Sequence, residues 1–214
     1  TIIKQIFIPP HVTYIDDYAF SSCQSLEIVE IPKDSELQTI GEYAFEYSNI
    51  KQMFIPKNIK RLDCTFYDSK KLNKIVISPD NHNFMMKDER YLLGKSDPKS
   101  DNFDVLVFVV GNPSNVQIPS NIKIISPYAF TGCENLTTIE IPKNSELQSI
   151  GEYAFYQTKI KQIFIPPHVM YIGDSAFGFC RNLEIVEIPK DSELQTIGEY
   201  AFEYSNIKQM FIPK

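Results

Sequence analysis

The stretch LEIVEIPKDSELQTIGEYAFEYSNIKQMFIPK occupies residues 26–57 and recurs without a change at residues 183–214. The match begins earlier, at Lys4, so that residues 4–57 and 161–214 differ at only seven of 54 positions. A chemical site needs a few converging side chains, and a second copy of its scaffold adds nothing to it. The duplication therefore predicts a repetitive architecture.

A shorter period lies inside each copy and is marked by Ile-Pro pairs. Neighbouring pairs are 23 or 24 residues apart except across one gap, and they begin at Ile8, Ile31, Ile55, Ile118, Ile141, Ile165, Ile188 and Ile212. Repeats of about 20–29 residues with regularly spaced aliphatic residues are typical of leucine-rich repeats, in which each unit buries its apolar face only against its neighbours. The sequence predicts a leucine-rich repeat solenoid with about nine short parallel strands on the concave face.

A second motif, Ile-Gly-x-x-Ala-Phe, follows the strand positions and occurs at residues 40–45, 150–155 and 197–202. The small alanine allows neighbouring backbones to approach, and the phenylalanine has the volume to fill the wide side of a coil. We expect short helical or 3₁₀ turns on the convex face, which would direct each phenylalanine into the core.

The gap in the Ile-Pro spacing predicts an irregular insertion in one continuous array. It contains the apolar runs RYLLG and DVLVFVV, which are joined and bounded by turn-forming residues and therefore predict a β-hairpin. We expect a single array over residues 1–214, with N-terminal repeats at 1–78, the hairpin-containing insertion at 79–117 and C-terminal repeats at 118–214.

Charge and hydropathy exclude two classes of partner. The net charge of −6 argues against a nucleic-acid partner, which requires clustered lysine and arginine. No apolar run reaches the roughly 18 residues needed to cross a bilayer, so membrane insertion is not expected. The chain begins and ends inside repeats, which predicts a segment of a longer protein whose uncapped ends favour self-association.

The sequence predicts no catalytic, cofactor or metal site. The cysteines, Cys23, Cys64, Cys133 and Cys180, lie at least 41 residues apart, which does not fit a zinc site or a disulfide framework. Three of them follow an Ala-Phe pair at the same repeat position, where small core residues are expected. No nucleophile elbow, phosphate loop or metalloprotease motif is present, so we expect a protein that is not an enzyme and needs no cofactor.

The combined motif resembles a known family. The stretches IPPHVTYIDDYAFSSCQSL, at residues 8–26, and IPSNIKIISPYAFTGCENL, at residues 118–136, resemble the BspA-like leucine-rich repeats of bacterial and protozoan surface proteins. The resemblance implies a location on the cell surface or outside the cell, and a role in adhesion or host-protein binding. It also implies that the insertion is an irregular repeat common in the family, and the alternative is a loop that confers binding specificity.

The strand positions that point away from the core define a candidate binding stripe on the concave face, because side chains alternate along a strand. Its predicted members are Phe7, Glu30, Phe54, Val76, Glu140, Phe164, Glu187 and Phe211. A phenylalanine at an exposed position is not needed for the core. Either these phenylalanines pack on cross-strand neighbours such as Ile28 and Ile185, or they form a recognition surface in which the glutamates orient a basic partner.

The leading functional hypothesis is a binding or adhesion module that recognises a protein or a glycan through its concave strand face. The resemblance implies host extracellular matrix or cell-surface proteins as partners. The alternative is a structural or self-associating array that has no specific ligand in this segment.

Overall fold

The computed structural model describes residues 2–62 and 64–210, and the chain divides into two compact units. The first unit is formed by Thr1–Phe103 with Val107–Gly111, and the second by Asp104–Leu106 with Asn112–Lys214. The division falls inside the predicted insertion. In both units polar groups bond to groups about one repeat away, at sequence separations of 25 residues in many pairs.

All regular elements of the described residues are β-strands of two to five residues. In chain order they are Gln5–Phe7 (β1), Tyr14–Ile15 (β2), Ile28–Glu30 (β3), Thr39–Ile40 (β4), Gln52–Ile55 (β5), Lys74–Ile77 (β6), Met85–Lys87 (β7), Tyr91–Gly94 (β8), Val105–Val109 (β9), Asn115–Gln117 (β10), Ile124–Ile125 (β11), Thr138–Glu140 (β12), Ser149–Ile150 (β13), Gln162–Phe164 (β14), Tyr171–Ile172 (β15), Ile185–Glu187 (β16), Thr196–Ile197 (β17) and Gln209–Met210 (β18).

Four strands of the first unit form a parallel sheet in the order β1-β3-β5-β6. Equivalent positions of successive repeats face each other, as in the pairing of Phe7 with Glu30 and of Phe54 with Val76. Between these outward positions lies a buried one, and Met53 is only 1% exposed there. The alternation follows from the two-residue period of a strand, and it confirms the predicted parallel strands.

The second unit repeats this arrangement in β10 with β12 and in β14-β16-β18. A second parallel ladder in this unit begins with residues 105–106 of β9 and continues through β11, β13, β15 and β17. The first unit has its counterpart in the pair β2 and β4. The described strands thus form the repeats of a β-solenoid of about nine turns, as the Ile-Pro period predicts.

The arcs that carry the Ala-Phe pairs are not helical, so the prediction of helical or 3₁₀ turns is wrong. No residue of the described ranges belongs to a helix. Each arc is a series of turns in which two residues four positions apart have left-handed φ values, such as Tyr18 at 58° and Ser22 at 56°. The amides of Tyr18, Phe20 and Ser22 donate to carbonyl oxygens of the next coil at 2.7–3.0 Å, whereas a helix would bond them within the same coil.

The phenylalanines of these arcs form a buried stack, as the sequence predicts. In the second unit the ring centroids of Phe130 and Phe155 are 4.4 Å apart, and those of Phe155 and Phe177 are 5.1 Å apart. All three side chains are fully buried. Aromatic stacking adds about 0.5–1.5 kcal/mol per pair to the burial of the rings, so the stack is a main source of cohesion between coils.

The insertion contains an antiparallel hairpin of β7 and β8, whereas the sequence predicts a hairpin of the runs RYLLG and DVLVFVV. β7 and β8 pair antiparallel around a tight turn, whose central residues Asp88 and Glu89 both have left-handed φ values. β8 also neighbours β9, and the Val110 amide donates to the Arg90 carbonyl oxygen at 2.8 Å. The runs RYLLG and DVLVFVV are therefore adjacent strands, while β7 has no strand signal in the sequence.

None of the four cysteines, all of which lie in the described ranges, forms a disulfide. Cys133 and Cys180 are buried, whereas Cys23 and Cys64 are half-buried. The Cys180 thiol donates to the Phe155 carbonyl oxygen at 3.0 Å. Burial raises the pKa of the Cys180 thiol to about 11, because the thiolate would be desolvated.

Substitution of Gly151 by alanine should destabilise the protein, because the added Cβ would lie 2.5 Å from the backbone nitrogen of Pro127 in the neighbouring coil. Overpacking against rigid backbone costs about 1–3 kcal/mol. In a chain of this length 1 kcal/mol corresponds to about 2–4 °C, so we expect a melting temperature lower by roughly 2–12 °C, measured by circular dichroism.

Gly111→Asn is the matched control for this experiment. Gly111 has a φ of 79°, which asparagine tolerates, and an added Cβ meets no atom within 4 Å. Asparagine at this φ carries some backbone strain but meets no neighbouring coil, so we expect a smaller fall in melting temperature than for Gly151→Ala. Equal stability of the Gly151→Ala protein and the wild type would contradict the close approach of the two coils.

Thiol labelling should separate the cysteines into two classes. The raised pKa of Cys180 means that its reactive thiolate is scarce at every pH below about 11 in the folded protein. With iodoacetamide under mildly alkaline native conditions, we expect Cys23 and Cys64 to react before Cys133 and Cys180, and all four to react in denaturant. Peptide mapping by mass spectrometry gives the order, and native Cys180 reacting as fast as Cys23 would contradict its burial.

Candidate functional site

The strand face of the first unit, defined as the outward positions of β1, β3, β5 and β6, carries an unusual set of side chains. Its members are Gln5, Phe7, Ile28, Glu30, Gln52, Phe54, Lys74 and Val76. Phe7 is 58% exposed, and Ile28 and Val76 are 41% and 43% exposed. Large apolar side chains at this exposure contribute little to the core and are available to a partner.

Six of these side chains line one groove of about 460 Å³, namely Phe7, Ile28, Glu30, Gln52, Phe54 and Val76. The groove brings together four of the predicted stripe residues, namely Phe7, Glu30, Phe54 and Val76, and adds Ile28 from the same face. Phe54 is half-buried. The groove is lined mainly by apolar side chains, with the Glu30 carboxylate and the Gln52 amide among them.

A hydrogen bond fixes the carboxylate of the groove. The Gln5 side-chain amide donates to Oε1 of Glu30 at 2.6 Å, across the β1–β3 pair. Beside the face, Lys51 and Glu27 form an ion pair, and the hydrogen bond from Lys51 lowers the pKa of the Glu27 carboxyl. The exposed Glu30 thus offers an oriented negative charge next to apolar surface, which suits a basic group of a partner.

In the second unit the other predicted stripe residues occupy equivalent outward positions. Glu140 lies opposite Gln117, and Phe164 lies opposite Glu187. Both glutamates are exposed and Phe164 is half-buried. The remaining predicted member, Phe211, lies outside the described residues.

A second groove, of about 750 Å³, was not predicted from the sequence. It lies in the first unit between β6 and the β7–β8 hairpin, where Val76, Met85 and Phe103 contribute apolar surface and Lys74 and Glu89 contribute charge. Only the adjacent methionines of the run FMMK signal it in the sequence. Methionine pairs are common at adaptable binding surfaces.

Sequence reasoning also missed rows of tyrosines on the arcs. The rings of Tyr18 and Tyr43 stack with centroids 5.1 Å apart in the first unit, and those of Tyr128 and Tyr153 stack at 5.0 Å in the second. Tyr18 is 56% exposed. The recurring tyrosine before each Ala-Phe pair is the signal, but the stacked rings cover each other's faces and leave mainly ring edges for contact.

The chemistry of these surfaces suits binding. Within residues 2–62 and 64–210, no group of three histidine, cysteine, aspartate or glutamate side chains is placed to hold a metal ion. The described part of the chain also has no helix with the length and hydropathy to cross a membrane. What the two grooves offer is apolar area with a few oriented charges, which can bind a complementary surface.

Comparison with family models identifies the repeat type. The model described as BspA type leucine rich repeat region matches six copies, over residues 1–87 and 107–214. The matched ranges include all the strands that carry the strand face of the first unit. Comparison with the curated proteins gives no match.

Three solved structures are similar to this chain over 97% of its length. A leucine rich cell surface protein from Faecalibacterium prausnitzii A2-165 has a TM-score of 0.71 and 24% identity, and the match covers 60% of that protein. The pneumococcal vaccine antigen PcpA has a TM-score of 0.68 and 19% identity, with 57% of that protein covered. A leucine-rich repeat protein from Eubacterium ventriosum ATCC 27560 has a TM-score of 0.58 and 19% identity, with 84% covered.

Because all three identities are below 25%, these similarities show the fold alone. The chain spans less than two thirds of the length of the first two proteins.

Proposed function

The chain belongs to the BspA type leucine-rich repeat family, and on this basis we propose that it is a non-enzymatic binding or adhesion module of a cell-surface protein. Its partner is a protein, bound through the strand face of the first unit. One of the similar structures supports the surface location, because it is described as a cell surface protein. Fold alone does not fix a ligand, so the proposal rests on the site.

The observation that carries the proposal is the exposure of Phe7, Ile28 and Val76 in one groove around Glu30. A buried aromatic anchor with oriented polar neighbours is the usual composition of a protein-binding hot spot. The groove has few hydrogen-bonding side chains, Glu30 and Gln52, among mainly apolar ones, whereas a glycan site needs many such groups for its hydroxyls. A protein partner is therefore favoured over a glycan.

The charge of the strand positions indicates the chemistry of the partner. Glu30, Glu140 and Glu187 occupy outward positions, and the whole chain has a net charge of −6. Complementary charge speeds association and excludes partners of like charge. The partner surface should carry an apolar side chain flanked by lysine or arginine.

The alternative is a structural or self-associating array with no specific ligand in this segment. It would associate through exposed apolar side chains, and within the described residues Ile197 and Tyr200 are 39% and 65% exposed.

The double variant Phe7→Ser, Ile28→Ser tests the proposed function. Binding of the chain to a panel of immobilised extracellular matrix proteins is measured by biolayer interferometry. Loss of hot-spot contacts of about 2 kcal/mol should weaken binding roughly thirtyfold. Both side chains are exposed, so the melting temperature should fall by no more than about 4 °C.

Tyr18→Ser is the matched control, because Tyr18 is as exposed as Phe7 but lies on an arc. The equivalent position in the second copy is a serine, Ser175, so the arc accepts this residue. Its binding should equal that of the wild type. Binding that survives the double variant would overturn the proposal. Light scattering of the same variant separates the alternative. Self-association through the coil that contains Ile197 does not involve Phe7 or Ile28, so the variant should self-associate as the wild type does.

A further inference from the structure

β6 is an edge strand with a groove along it. Among the described residues, β6 pairs on one side only, with β5. The second groove, of about 750 Å³, is lined by the whole length of this strand and by the residues on either side of it. An edge strand leaves backbone amide and carbonyl groups that a further strand can bond. Four strand residues span about 13 Å, which accommodates an extended peptide.

The opposite wall of the groove is apolar and adaptable. Met85 is 36% exposed, and Met86 and Phe103 are half-buried. The Lys95 ammonium lies 4.9 Å from the centre of the Phe103 ring, which helps to hold the ring in place. Flexible thioethers beside an aromatic ring can pack on apolar side chains of different shapes.

The wall is held rigidly by buried polar groups. Asn81 is 7% exposed, and its side-chain amide donates to the Pro56 carbonyl oxygen at 2.8 Å. Its Oδ1 accepts from the amides of Asn83 and Phe84 at 2.8 and 3.0 Å. The start of the hairpin is thereby fixed to the preceding coil. Rigidity of both walls reduces the entropy lost when a peptide is bound.

Two opposite charges remain available in the groove. Lys74 lies at the start of β6, Glu89 lies in the hairpin turn, and within the described part of the chain neither forms an ion pair. Both side chains are exposed. A peptide that carries one acidic and one basic side chain, with apolar residues between them, would be complementary to this pair.

We infer that the groove between β6 and the β7–β8 hairpin binds an extended peptide segment of the partner protein, which adds to β6 as a further strand. Its apolar side chains pack on Met85 and Phe103, and its acidic and basic side chains pair with Lys74 and Glu89. Main-chain hydrogen bonds supply affinity in this mode of recognition, and side-chain pockets supply specificity. The inference deepens the proposed function and rests on it, because Val76 lines both grooves.

The test begins with a random nonapeptide library displayed on phage and selected on the intact chain. Enriched peptides should alternate apolar residues and carry one acid and one base. A fluorescein-labelled copy of one enriched peptide is then titrated by fluorescence anisotropy. Two further peptides are N-methylated at every second amide, one at the odd positions and the other at the even positions. The peptide whose methylated amides face β6 should bind at least about tenfold more weakly, while the other should bind nearly as the parent does.

Variants of the chain test whether the peptide binds in the groove. Met85→Ser and Glu89→Lys should each weaken binding about tenfold, and exchanging the basic residue of the peptide for glutamate should restore binding to Glu89→Lys. The double variant Phe7→Ser, Ile28→Ser lies outside the groove and should bind the peptide as the wild type does. Circular dichroism and the melting temperature confirm that each variant is folded.

Several outcomes would overturn the inference. One is equal binding of both N-methylated peptides. Another is loss of peptide binding in the Phe7→Ser, Ile28→Ser variant but not in Met85→Ser. The third is that no peptide is enriched while the chain binds a panel of immobilised glycans. The two proposals fail in distinguishable ways. If the chain binds the peptide but no matrix protein, the assignment of the groove stands and the choice of matrix proteins as partners is wrong. If the chain binds a matrix protein but enriches no peptide, only the assignment of the groove is wrong.

Discussion

Backbone hydrogen bonding between successive coils is the constraint on which the rest of the structure depends. Along the arcs, the Tyr128 and Phe130 amides donate to carbonyl oxygens of Glu152 and Ala154 in the next coil. Such bonds require coils to lie in contact, so glycine is needed where a Cβ would meet neighbouring backbone, as at Gly151. A coil without its neighbours would leave these groups and its apolar face unsatisfied, which is why the repeats are stable only as a stack.

The sequence predicts one strand of each repeat, because the Ile-Pro period places it and the two-residue alternation sets its face. It does not predict the second ladder, which contains β2, β4, β11, β13, β15 and β17. It does not predict the arcs, since residues such as Tyr18 and Tyr43 adopt left-handed φ values that are unfavourable for non-glycine residues. The bonds to the neighbouring coil, such as that from the Tyr18 amide to the Glu42 carbonyl oxygen, help to stabilise that conformation. Local propensity therefore favours a helical turn there, and the contacts between coils favour the observed series of turns.

The candidate site was likewise only partly predictable from the sequence. Alternation alone places Phe7, Glu30, Phe54 and Val76 on one face, and the structure shows that they line one groove. The exposure of each side chain depends on its cross-strand neighbours, so the difference between Phe7 and Phe54 could not be read from spacing. The groove beside β6 depends on where the hairpin packs, and contacts between distant parts of the sequence determine that position. The two proposed binding surfaces lie where the repeat pattern is broken or where it exposes an apolar residue.

Hydrogen exchange measured by NMR tests most directly whether bonds between coils hold the arcs. The Phe155 amide donates to the Ala176 carbonyl oxygen at 2.8 Å, and the account predicts that it exchanges as slowly as the amide of Ile163 in β14. The amide of Asp97, in the exposed loop of residues 96–99, should exchange much faster than either. Arc amides that exchange as fast as this loop, while strand amides stay protected, would contradict the account.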